Sequence, residues 1–235
     1  MSNLQWYQWM AIIALVICLL TCMLYLIRLI SLGKPNDLSR QSGNLTRGIV
    51  FAFTGAMSPM RKESAYLHLP TYTAGLLYHL GTFLCLFLFY IIFSDTILHE
   101  WLAIAIIAFL IISSASGIGI LVKRIRKKEL LSLSNPDDFI SNILVTLFQI
   151  ATVSILLFLT VLPSYSPIAQ LSNSPTVQPS NLPTVQLLYY LTFTLLMLYL
   201  PAGKLRHTVY FFAARYHLGL FFGRRGVWPD STMKN

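Results

Sequence analysis

The chain has 235 residues, of which 56% are hydrophobic and only 11% charged, and it carries a formal net charge of +9. Soluble domains carry about 25% charged residues, so this composition excludes one and points to a membrane protein. The basic residues are divided among segments that separate long apolar runs, a pattern that reads as membrane topology and excludes a nucleic-acid-binding surface.

A transmembrane helix needs about 20 consecutive, mostly apolar residues. Five runs meet that length: residues 7–29, 71–94, 101–122, 139–163 and 186–203. They predict an all-α, five-helix membrane bundle forming one domain over residues 1–235, with 204–235 as a cytoplasmic tail. The opening MSNLQWYQW lacks the basic start of a cleaved signal, and Trp6, Tyr7 and Trp9 suit an interfacial aromatic belt, so the first run reads as a true span. The 17 Lys and Arg fall in three clusters: Arg28 to Lys62, Lys123 to Lys128, and Lys204 to Lys234. The positive-inside rule then places the N-terminus outside and the C-terminus in the cytoplasm.

Between the second and third runs, the turn SDTILHE holds Asp95, His99 and Glu100 and reads as a solvated outer loop. In the third run, IISSASGIGIL permits close helix approach. KRIRKK, which follows it, reads as a stop signal in contact with anionic lipid. The outer loop LSNSPTVQPSNLPTVQ repeats PTVQ in a Ser/Pro/Asn-rich stretch and predicts no packed core. Cys18, Cys22 and Cys85 lie within apolar runs with no CxxC or CxxCH, which excludes a cysteine-ligated cluster and covalently attached haem and leaves them as small buried hydrophobes.

The histidines carry the functional information, because an ionisable residue inside a span is costly and is a site candidate by default. His79 lies inside the second run; His207 stands just past the fifth, after Pro201 and Gly203. The topology brings both out near the cytoplasmic face. Two neutral imidazoles from facing helices are the usual grip on a b-type haem. In GLLYHLGTF, Gly75 and Gly81 would let a macrocycle edge approach the backbone, and Lys204 and Arg206 would stand near its propionates. The residues alone leave a plainer alternative open, in which His79 bonds a neighbouring helix and His207 is an interfacial polar residue.

LLYHLGTF in the second run, followed by LPAGKLRH at the end of the fifth, resembles the membrane cytochrome b subunits typified by the gamma subunit of respiratory nitrate reductase and by the membrane subunits of heterodisulfide reductases. The likeness extends over length, helix number, topology and the Pro-x-x-basic-Leu-x-His motif. It implies a haem b held by His79 and His207, a quinone as lipid-phase redox partner, a cytoplasmic iron–sulfur subunit, and residence in a prokaryotic-type inner membrane. In that family a second haem pair lies ten residues after the first histidine and eighteen before the last; here those positions are Phe89 and Tyr189, which implies one haem. A competing reading stacks a second haem on His68 and His217; otherwise these line a docking surface, or a quinone pocket that draws on His68, Tyr72 and Lys62. The aromatic and arginine-rich stretch from His207 to Pro229 suits docking at the membrane surface.

The chain would then be an electron-transfer subunit of a quinone-linked oxidoreductase, not a catalyst on its own. The alternative is a haem-free scaffold or small transporter, which would carry no coloured cofactor. No HExxH or GxSxG motif supports a membrane protease or acyltransferase.

Overall fold

The computed structural model describes residues 4–33, 37–59, 67–94, 96, 98–161 and 182–229. Lys62, Asp95, the outer loop up to residue 181 and the end of the chain beyond 229 lie outside the described residues. The order is α1 (Trp6–Ser31), α2 (Leu45–Phe53), a 3₁₀ turn (Gly55–Met57), α3 (Leu69–Phe93), α4 (Glu100–Arg126), α5 (Lys128–Ser132), α6 (Pro136–Leu156) with a π turn (Leu157–Val161), α7 (Leu182–Tyr199), a 3₁₀ turn (Lys204–Arg206) and α8 (His207–Arg224). No strand occurs among the described residues.

Among the described residues, four helices are long and apolar enough to cross a membrane: Trp6–Ser31, Leu69–Phe93, Glu100–Arg126 and Pro136–Leu159. A fifth candidate arises when Pro183–Tyr199 and Lys204–Arg224 are taken together as one broken span. Their surfaces are bare of protein. In the most apolar stretch of α1 only 17% of the residues are buried, and Leu20, Leu24, Phe87 and Trp101 all point outward. So much exposed apolar surface is compatible with hydrocarbon and not with water, and the fold is that of a multi-pass membrane protein.

The sequence reading has one domain; the chain folds as two compact units, the first formed by Met1–Cys18 with Thr73–Lys204 and the second by Leu19–Tyr72 with Leu205–Asn235.

The first unit is built around one polar side chain. Gln149 of α6 is fully buried. Its amide donates to the Tyr78 carbonyl (3.1 Å) and to Thr82 Oγ1 (3.0 Å) on α3. Its oxygen accepts from Ser113 Oγ (3.1 Å) and Ser114 Oγ (3.2 Å) on α4. A polar group in hydrocarbon must find its partners inside the protein, so one glutamine fixes the register of three helices. The backbones come close enough because glycines face the contact: a Cβ on Gly81 would lie 2.0 Å from Ser113 Oγ, and one on Gly117 would lie 2.4 Å from the Tyr78 ring. Tyr78 Oη sits 2.9 Å from both the Asn142 carbonyl and Thr146 Oγ1.

Towards the other end of α3 the core is aromatic. Phe89 and Phe193 stack at 3.5 Å and 6°, and Phe148, Tyr189 and Tyr190 close around them. The first half of α1 joins this unit through Tyr7 Oη, which donates to Gln186 (3.3 Å), and through the Tyr7–Tyr190 ring contact at 5.5 Å.

The second unit is held by glycine. α2 and α8 press together where Gly48 meets Gly219 and Gly223; a Cβ on Gly48 would lie 2.4 Å from the Gly219 carbonyl oxygen. The Arg224 carbonyl accepts from Ser42 N–H (2.8 Å) and Gly43 N–H (3.1 Å), while its guanidinium donates twice to the Ser39 carbonyl (2.9 and 2.8 Å). Trp228 packs on Phe222 (4.6 Å) and Phe51 (5.5 Å), and Tyr210 stacks on Tyr25 in the second half of α1 at 6.2 Å. The segment expected to be a tail is therefore a helix built into a folded unit.

Replacing Gln149 with leucine, which has a similar volume, removes the polar clamp and leaves the packing. Reversible unfolding in detergent should show a loss of about 0.6–2 kcal/mol, the span from protein double-mutant cycles to model peptides for interhelical hydrogen bonds in membranes.

Candidate functional site

His79 follows Tyr78, whose ring faces the bundle, so the helical advance carries the imidazole to the outside of α3, where it is exposed. Its Nδ1 lies 2.7 Å from the carbonyl oxygen of Gly75, one turn back. A carbonyl can only accept, so Nδ1 holds a proton, and in the neutral ring Nε2 then keeps its lone pair. This is the tautomer that ligates a metal, with the second nitrogen already tethered. Around it the surface is apolar: Leu76, Leu80 and Phe83 are each about half exposed. A Cβ on Gly75 would meet nothing within 4 Å, which leaves open space beside the imidazole. The donor atom, the tether and the open apolar strip fit a porphyrin face.

Gly81 does not belong to that strip. It is buried against Ser113 and Gln149 and serves helix packing, so the macrocycle role expected for it has no support here. Lys204 is likewise engaged: its ammonium pairs with Asp138. Asp138 is 7% exposed, also pairs with Arg124 at 3.2 Å, and closes a capping box with Asn135 at the start of α6. Beside it, the Tyr199 hydroxyl donates to Asp137. This cluster ties the ends of α4, α6 and α7. The sequence reading passed over it, although the NPDD run at a helix start was there to be read.

The structure brings Phe89 and Tyr189 together. Both are buried, and their rings stand 6.2 Å apart at 29°.

The second unit holds the other named residues. His207 opens α8 directly after Arg206, and both are exposed. His68 sits in the turn before α3, where its carbonyl accepts from the N–H groups of Thr71 and Tyr72, each at 3.0 Å. His217 differs from these: its Nδ1 is buried and has no hydrogen-bond partner among the described residues. Tyr210, His217 and Arg224 recur at a spacing of seven residues and share one face of α8.

Arg225 grips Asp37 with both terminal nitrogens (2.7 and 3.2 Å) and lies 3.6 Å over the Phe221 ring. The Ser39 N–H and this guanidinium hold the Asp37 carboxyl down from 3.8 to about 2. A depressed carboxylate contributes stability above its unfolded value and loses it as pH falls through the folded one. The contribution to the second unit should thus persist down to pH 3.8 and vanish on approach to about 2. Carbon-detected NMR titration of the Asp37 carboxyl checks the midpoint, and Arg225→Gln should move it upward.

No family model, curated protein or solved structure matches the chain.

Proposed function

We propose that the chain is a membrane cytochrome b subunit that relays electrons between a quinone pool and a cytoplasmic iron–sulfur subunit, in a prokaryotic-type inner membrane with its N-terminus outside. His79 and His207 are the residues that would hold one b haem. The observation that carries this reading is the His79 imidazole, tethered at Nδ1 by the Gly75 carbonyl and offering Nε2 from an open apolar strip. The sequence resemblance in LLYHLGTF and LPAGKLRH supplies the second ligand.

Bound there, the group supplies one-electron transfer. The chain's own part is to hold the Nδ1 proton, fix the ring plane and exclude water with Leu76, Leu80 and Phe83. Arg206 would supply a cation for a propionate; Lys204 keeps its place beside Asp138. The stacked Phe89 and Tyr189 occupy the positions of a second ligand pair, in accord with a single haem. Of the residues named for a quinone, His217 is favoured over His68 and Tyr72, because a buried ring nitrogen without a partner is what a quinone carbonyl would satisfy.

His79→Ala and His207→Ala should each abolish the reduced-minus-oxidised b-type spectrum while the protein still inserts. A full spectrum in both variants overturns the ligand assignment. His217→Ala should retain the spectrum and slow haem reduction by a quinol analogue about tenfold, the loss of one hydrogen bond to the substrate.

A further inference from the structure

The positive charge of the chain is unevenly placed. The second unit carries eleven Lys or Arg against three Asp or Glu, whereas the first carries six against five. Within the second unit, one face of α2 opens into a groove of about 300 Å³ lined by Thr46, Arg47, Val50, Phe51, Thr54 and Pro229. Its walls are apolar: Val50 is 57% exposed into it, and Phe51 rests on Trp228 behind. At its rim Arg47 is exposed, and its guanidinium makes no hydrogen bond or ion pair among the described residues.

A cation above an apolar trough is the complement of an anionic amphiphile. We infer that this groove binds an anionic phospholipid, with the phosphate on Arg47 and the first part of an acyl chain along Val50 and Phe51. Three features select that occupant. The unit includes the second half of α1, an apolar span, so it is held at a bilayer whatever else it binds. A soluble acidic partner would satisfy the guanidinium and leave the apolar wall uncovered; a quinone would cover the wall and accept a hydrogen bond, but it carries no negative charge to neutralise the guanidinium. The volume lies at the lower limit of small-molecule sites, enough for a stretch of chain whose remainder stays in the membrane. This assignment uses neither His79 nor His207, so it stands or falls separately from the haem proposal.

The test uses the full chain with Trp6, Trp9 and Trp101 replaced by phenylalanine, which leaves Trp228 as the one remaining tryptophan of the four. It is reconstituted in phosphatidylcholine vesicles containing an equal small fraction of acyl-brominated phosphatidylglycerol or acyl-brominated phosphatidylcholine. Bromine quenches a nearby indole, so a bound acyl chain is read directly at Trp228. The expected result is about fivefold stronger quenching by the anionic lipid, the preference one guanidinium confers at an anionic surface. Arg47→Gln should abolish the preference, and Arg47→Lys should retain most of it. Val50→Ser should weaken quenching by both lipids, while an unchanged Trp228 emission maximum in each variant reports an intact unit. Equal quenching by the two lipids, or an undiminished preference in Arg47→Gln, overturns the inference. Loss of the preference on adding inorganic phosphate assigns the site to free phosphate instead, and loss on adding polyglutamate assigns it to an acidic partner.

Discussion

Gln149 sets the terms for the first unit. An amide in a hydrocarbon medium has no water to fall back on, so its donors and acceptor must all be met by neighbouring helices. Two hydroxyls from α4, one hydroxyl from α3 and a backbone carbonyl meet them, and this is possible only because Gly81 and Gly117 let the backbones come near. The two kinds of residue depend on each other. Small residues bring the helices into reach, and polar side chains then fix which registers satisfy every group. The Asp138 cluster does the same at the helix ends, with charge in place of amide.

From this follows where a cofactor can sit. The interior between α3, α4 and α6 is closed by the Gln149 network, and the space further along is filled by Phe89, Phe148, Tyr189 and Phe193. His79, one residue on from Tyr78, is exposed on α3 and not part of these buried contacts, with its ring tethered at Nδ1 to the Gly75 carbonyl. A chain that spends its polar residues on internal satisfaction keeps one imidazole on an open apolar surface, and that contrast is the physical basis of the proposed haem site.

The helical class and four of the spans were legible as long apolar runs, because hydropathy reports the solvent each segment meets. Ends moved by a few residues: the run at 101–122 became Glu100–Arg126, since the KRIRKK cations continue the last turn, where they favour the helix dipole. The second unit was not legible. Leu45–Phe53 is too short to register as a span, and its partner, His207–Arg224, lies far along the chain; only the glycines on both faces hinted at the pairing. Composition marked Lys204 as a cation without naming its partner, Asp138, which is distant in sequence. Gly75 and Gly81 look alike in GLLYHLGTF, yet one faces open space and the other Ser113. Which face a glycine serves depends on neighbours that no local pattern contains.

The account turns on iron held by His79 and His207 and on nothing comparable where Phe89 and Tyr189 stack. The most direct measurement is a pyridine haemochrome assay on the purified chain, produced with ample haem and normalised to protein by amino-acid analysis. The account predicts one b-type haem per polypeptide. A colourless polypeptide, or a stoichiometry of two, would contradict it.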